Sequence, residues 1–301
     1  MTRKSTLASI IVISALMFYV GCGDDGEDDS VPPGLGGGGP GDCTSACPTS
    51  CCPLSPGRAE ACCCALRPPP TDVCFLLDLT GVCWRGCDLT EALLNDAKME
   101  GANLQGANLS RVNFNSANLK SAKLDMAILT GTSFFSADLR GADLSHTDLT
   151  TANLEFTKLI EAKFIGSNLM GQDLSTFDPG LELRDFIDAD FTDANMTSVD
   201  FHGSRAISAK FIRADLTGAN LSRVDLVAAD FTDAKLINAN LSGANLSDAI
   251  LRNADLSGAD LSNANLFKAI LSGAKWVDGV HTCDAGSEGC CLVSRQCLAI
   301  P

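Results

Sequence analysis

Leucine or phenylalanine returns at every fifth residue of this chain for nearly two hundred residues, and no other feature narrows its possible folds as far. From Leu89 to Leu174 all eighteen fifth positions are Leu, Phe or Met. The phase then slips, and nineteen more steps run from Phe186 to Trp276, broken only by Ala206. Two residues before these 37 positions stands alanine in 26 cases, and the residue between is usually Asn or Asp, as in Ala102-Asn103-Leu104-Gln105-Gly106. A period of five matches neither the 3.6 of a helix nor the 2 of a strand. On a helix it would smear the apolar stripe over the whole surface, even though Ala and Leu are good helix formers.

If every fifth residue points inward, the chain turns a corner every five residues. Four such sides close a square coil of about twenty residues, with successive coils stacked at strand-like spacing, ~4.8 Å. Alanine fits inside beside each large residue because only a small side chain leaves it room. Residues twenty apart then form columns. Phe191, Phe211 and Phe231 are expected to make one apolar ladder, and Asp215, Lys235, Asp255 and Lys275 a charged one, as are Lys123, Asp143 and Lys163. Opposite charges at that spacing offset each other and help fix register.

The Ala-(Asp/Asn)-Leu-x-x pattern resembles that of the pentapeptide-repeat family over 88–278. The resemblance implies an all-β fold, a right-handed quadrilateral β-helix. It implies a scaffold without common catalytic residues, and no cofactor. Function has to be argued from the surface, because a fold alone does not supply it.

The first residues bear on location. Arg3 and Lys4 precede an apolar run from Leu7 to Val20, followed by Gly21-Cys22, the pattern of an export signal. Fourteen helical residues reach about 21 Å, short of the ~30 Å hydrocarbon core. Gly21-Cys22 resembles a bacterial lipobox, which implies a signal over 1–21 and lipidation of Cys22, although Tyr19 stands where that motif has an aliphatic residue. Residues 22–42 read as a flexible tether, acidic from Asp24 to Asp29 and glycine-rich from Gly34 to Gly41. The expected location is the bacterial cell envelope, on the extracytoplasmic side, with the membrane reached through the lipid.

Cysteine usage points the same way. With Cys22 set aside, fourteen of the fifteen cysteines remain. Ten lie in a segment over 43–87: Cys43, Cys47, Cys51, Cys52, Cys62, Cys63, Cys64, Cys74, Cys83 and Cys87. Four lie over 279–301: Cys283, Cys290, Cys291 and Cys297. The repeats from 88 to 278 hold none. Spacing by four at Cys43, Cys47 and Cys51 raises a metal site. The segment lacks a nearby His, however, and the adjacent thiols at 51–52 and 62–64 give no recognisable zinc spacing. Disulfides in an oxidising compartment are the better reading, with no metal. They would form caps at both ends of the coil, where apolar core and unpaired backbone are otherwise exposed. Trp84 and Trp276, in phase with the repeat at its margins, would plug the column.

Leu174 to Leu181 spans seven residues where five are expected. Asp178-Pro179-Gly180 is a turn signal there, so the phase break over 175–185 reads as a two-residue bulge or small loop, and as a candidate interaction loop. Catalysis has no foothold. His146, His202 and His281 are far apart in sequence, and the carboxylates recur with the repeat instead of forming a singular pair. Asn108-Leu109-Ser110 and Asn240-Leu241-Ser242 match a glycosylation sequon that the repeat itself generates.

The net charge of −15 raises an alternative. An acidic coil of this family is similar to DNA-mimicking proteins that protect a topoisomerase such as gyrase. A phosphate mimic needs an unbroken acidic stripe, whereas the expected columns alternate in sign. The expected partner is therefore an unidentified protein or envelope component, with nucleic acid not expected.

Overall fold

The computed structural model describes residues 78–175, 185–294 and 296–298. Within them the chain runs as a four-sided coil. Each side places one small residue inward, one polar residue outward and one large apolar residue inward, then spends two residues on a corner. The outward residue pairs in parallel with the one twenty further on: Asp88 with Asn108, Leu93 with Asn113, Lys98 with Asn118, Asn103 with Lys123. Four steps of five thus make one turn.

Backbone hydrogen bonds account for this period. Leu104 N–H donates to the Lys123 carbonyl at 2.7 Å, and Asn103 N–H donates to Val82 on the opposite side at 2.7 Å. Ala107 N–H closes the corner onto the Leu104 carbonyl at 3.0 Å. The last corner residue is left-handed; it is Gly106 at φ 63 on one corner and Arg111 at φ 57 on another. That conformation costs an L residue about 1–2 kcal/mol. It also aims the Arg111 N–H at the Thr130 carbonyl, 2.9 Å away in the next turn, so the strain is offset by a bond the coil would otherwise lack.

The large inward residues are fully buried, and the alanines beside them nearly so. Phe164, Phe191, Phe211 and Phe231 stack as one ladder with centroid spacings of 4.9, 5.1 and 4.7 Å and planes within 5°. Ala206 lies one turn above Phe186 and one step from Phe201 and Phe211. The rings of Phe186 and Phe201 close to 4.7 Å around it. Where a polar residue replaces the inward alanine, it hydrogen-bonds to backbone. Thr132 Oγ1 donates to the Leu109 carbonyl at 2.7 Å, and Gln172 Nε2 donates to the Leu149 carbonyl at 2.7 Å. Burial of these groups therefore leaves them satisfied.

Two expectations need correction. The coil begins earlier than 88: Asp78 already pairs with Lys98 and Cys83 with Asn103, and Leu79, Val82 and Trp84 pack on the core. Cys83 and Cys87 therefore belong to the coil and not to a segment before it, and Cys87 is 5% exposed. The phase break is also larger than two residues. Lys163 pairs with Asp190, Asn168 with Asn195 and Asp173 with Asp200, which are 27 apart instead of 20. Seven residues are inserted into one turn. Stacking of Phe191 on Phe164 selects this register over one in which Leu181 continues the core. Asp178, Pro179, Gly180 and Leu181 lie outside the described residues.

The insertion is expected to be dispensable for folding. Removing residues 178–184 and changing Phe177→Ala places Leu174 and Phe186 five positions apart, with a small residue two places before Phe186. One regular step in a twenty-residue turn results. Thermal unfolding should move by less than about 1 kcal/mol, since loop length enters closure entropy only logarithmically. A collapse of the circular dichroism signal would refute the 27-residue register.

At the C-terminal end the chain reverses. Thr282 and Glu288 pair antiparallel with Lys275 and Ile270. The upward N–H groups of the last turn are taken by this return: Leu271 to the Ser287 carbonyl at 2.9 Å, Gly273 to Cys283 at 2.9 Å, and Trp276 to His281 at 2.8 Å. Trp276, 2% exposed, seals the column, as expected; Trp84 is only half-buried. A two-residue hairpin, β1 (Leu292–Val293) and β2 (Gln296–Cys297), finishes the cap.

Candidate functional site

With its core filled, the coil can act only through its faces, corners and ends. Each face is a column of outward residues, one per turn, with a second outward residue two positions later. The first face runs through Lys98, Asn118, Asp138 and Lys158, then Asp185, Arg205 and Asp225. The second runs through Asn103, Lys123, Asp143, Lys163, Asp190, Lys210 and Asp230 to Ile250 and Ile270. The third carries Asp215, Lys235, Asp255 and Lys275 in its later half, and the fourth Asn113, Ser133, Asn153, Asp173, Asp200, Asn220, Asn240 and Asp260.

Asn and Asp dominate these columns for a local reason. Asp215 Oδ1 accepts both the Thr217 N–H at 3.1 Å and its hydroxyl at 2.6 Å, and Asn240 does the same with Ser242. The side chain thus bridges the start of each corner. Asn ladders link turns: Asn220 Nδ2 donates to Asp200 Oδ1 at 3.0 Å, and Asn245 Nδ2 to Asp225 Oδ1 at 3.1 Å.

Charge pairs also run along the columns. Lys235 sits 3.1 Å from Asp215 and Lys275 3.7 Å from Asp255. The Lys123, Asp143, Lys163 column is in register but closes no ion pair among these three. Arg205 forks onto Asp185, and Arg213 onto Asp193 at 2.6–2.7 Å. The Arg213 guanidinium holds the Asp193 carboxyl below the usual carboxylate range. Lys235, Lys275, Arg213 and Asp193 are exposed and the other partners half-buried, so each pair contributes little to stability.

The cysteines divide between the described and undescribed residues. Cys283 is bonded to Cys291 and Cys290 to Cys297, fastening the C-terminal cap. Cys83 and Cys87 are each disulfide-bonded. Cys22, Cys43, Cys47, Cys51, Cys52, Cys62, Cys63, Cys64 and Cys74 lie outside the described residues. His146 is exposed on a corner at φ 57, and the His202 ring is 2.8 Å from the Ser222 hydroxyl. His281 Nδ1 lies 2.5 Å from Asp278 Oδ2. The His281 backbone N–H, its ring and the Val280 N–H together pull the Asp278 carboxyl down to about 2. That carboxylate holds the exposed turn into the cap. Among the described residues, no group of three or more His, Cys, Asp or Glu side chains could hold a metal ion.

Comparison with known proteins bears on the fold. The family described as Pentapeptide repeats matches in eight copies, within 77–175 and 185–275, well over half of the chain. Among solved structures, HetL, a pentapeptide repeat protein involved in heterocyst differentiation regulation from the cyanobacterium Nostoc sp. strain PCC 7120, is 32% identical. That match covers 67% of this chain and 90% of HetL, with a TM-score of 0.34. A pentapeptide repeat protein from the Arabidopsis thaliana thylakoid lumen is 28% identical over 40% of this chain and 68% of its own, with a TM-score of 0.22. QnrB1, a plasmid-mediated fluoroquinolone resistance protein, is 19% identical over 67% of this chain and 92% of its own, with a TM-score of 0.34. No curated protein matches the chain.

Proposed function

The chain belongs to the pentapeptide-repeat family, and from that premise we propose that it is a non-enzymatic interaction scaffold held on the outside of a bacterial membrane. The observation that carries the reading is the crosslinked C-terminal cap, with Cys283–Cys291 and Cys290–Cys297 both closed. Disulfides of this kind persist in oxidising compartments and are rare in the cytosol. The bonded state of Cys83 and Cys87 supports the same location. The basic start, short apolar run and Gly21-Cys22 supply the route, with Cys22 as the lipidated residue and 22–42 as the spacer. The faces supply the work: polar, regular and built on a packed core.

The test is Cys22→Ala. The variant is expected to leave the membrane fraction and to lose incorporation of labelled lipid, while the coil keeps its β signal. A variant that stays membrane-bound and is processed like the wild type refutes the anchor. The acidic surface favours a second reading, binding to a topoisomerase as a DNA mimic. Alternation of sign along the first, second and third faces opposes it, because a phosphate backbone presents one sign throughout. Recovery of the protein in the cytoplasm, with nanomolar affinity for gyrase, would restore that reading.

A further inference from the structure

The second face differs from the other three. Its ladder is unbroken from Cys83 to Ile270, the 27-residue turn included. The third face lacks a rung between Ile128 and Asp148, and the fourth lacks one between Asn153 and Asp173. The insertion enters beside the first face. Along the second face six consecutive turns present Lys123, Asp143, Lys163, Asp190, Lys210 and Asp230, strictly alternating in sign. Only Lys210 and Asp190 close an ion pair, at 3.5 Å; Lys123, Asp143, Lys163 and Asp230 are in none among the described residues. Half-buried Ile165 and Ile212 lie on the same outward side, and Ile160, Ile187, Ile207 and Val227 line the corner shared with the first face.

A column that alternates in sign is complementary to itself in one arrangement. Consider two copies facing each other, related by a two-fold axis lying in the contact plane and perpendicular to the coil. Their turns run in opposite directions, and an axis passing between two turns places every odd turn opposite an even one. If that axis lies between Lys163 and Asp190, Lys163 meets Asp190 of a second copy, Asp143 meets Lys210, and Lys123 meets Asp230. All six charges then meet the opposite sign. Parallel copies in register would instead place like on like in every turn, which is costly. Such an isologous, closed pairing is the commonest form of self-association.

We propose that the second face is a self-association surface, on which a second copy of this chain packs antiparallel about an axis between Lys163 and Asp190. Six turns at ~4.8 Å make a strip roughly 30 Å long and about 10 Å wide, at the small end of protein interfaces. The association is therefore weak and concentration-dependent, and salt weakens it because the lysines are exposed and the aspartates no more than half-buried.

The test is sedimentation velocity on the full chain over a range of concentrations. The wild type is expected to move reversibly toward twice its monomer mass and to return to monomer as salt rises. Lys123→Asp with Asp143→Lys and Lys163→Asp inverts half of the column. Every one of the six contacts across the axis then becomes like-charged, while the chain's own alternation is disturbed at one step only, between positions 163 and 190. Dissociation should strengthen by about a hundredfold or more. Adding Asp190→Lys, Lys210→Asp and Asp230→Lys inverts the other half and should restore the dimer. A column that serves only internal register would leave the mass of all three proteins alike. Monomer throughout up to about 1 mM, or equal dimerisation of the wild type and the half-inverted variant, overturns the proposal.

Discussion

Phe211→Ala should be among the most damaging single changes in the coil, costing about 3–5 kcal/mol of unfolding free energy. Phe211 is fully buried. Its ring lies between those of Phe191 and Phe231 at 5.1 and 4.7 Å, and edge-on to Phe201 at 6.3 Å. The lost ring leaves a cavity that the surroundings cannot fill by collapse. Phe211 N–H is tied to the Asp230 carbonyl at 2.7 Å, and Lys210 N–H to Ala189 at 2.9 Å, so both neighbouring turns are held at ladder spacing. Ala206 already leaves a small residue one step away, where the Phe186 and Phe201 rings are in contact at 4.7 Å. Phe211→Leu keeps most of the volume and should cost under about 1.5 kcal/mol. Chemical denaturation of the two variants measures the difference; equal stability would mean that the ring ladder is not a close-packed core.

Removing the Cys283–Cys291 crosslink is the second change with a large expected effect. Cys283→Ala together with Cys291→Ala opens a short loop, and the chain-entropy term predicts a loss of about 2–3 kcal/mol. Both cysteines are buried, at 2% and 0% exposure, so their packing is lost as well. The damage should stay local, because a solenoid's stability is close to a sum over neighbouring turns. Hydrogen exchange is expected to speed up at Leu271, Gly273 and Trp276, whose N–H groups donate into the cap. The amides of Phe191 and Phe211 should change little. Uniform acceleration through the coil would contradict the nearest-neighbour picture.

Much of this architecture was legible in the residues because the coil repeats its geometry every five positions. Leu104 is inward, Ala102 is inward and small, and Asn103 is outward, and each role has a residue type suited to it. The alternation of Asp215, Lys235, Asp255 and Lys275 followed from twenty residues per turn alone. The phase break did not yield in the same way. Periodicity fixes position within a step but not how many residues a corner holds, and Leu181 happened to fall where a two-residue slip would place a core residue. Reading through Leu181 puts Asp185 over Lys163 and would carry the column on through Arg205 and Asp225. Only the stacking of Phe164 on Phe191 extends that column through Asp190, Lys210 and Asp230. The early start at Asp78 was obscured differently. Cys83 and Cys87 look like part of a thiol-rich segment, although Leu79 and Trp84 keep the five-residue phase beside them.

The reversal of the chain at the C-terminal end has a consequence beyond sealing the core. A parallel coil whose last turn is bare offers the same row of donors and acceptors that its next turn would use. Another molecule's coil could then continue it into an open-ended fibre, the hazard of any exposed strand edge. Here Thr282 and Glu288 lie across that edge in the opposite direction, and Cys283–Cys291 and Cys290–Cys297 pin them there. The edge is already occupied, and by a strand of the wrong polarity to be copied. A molecule that exposes regular, sticky rungs along its sides can therefore be crowded without growing at this tip.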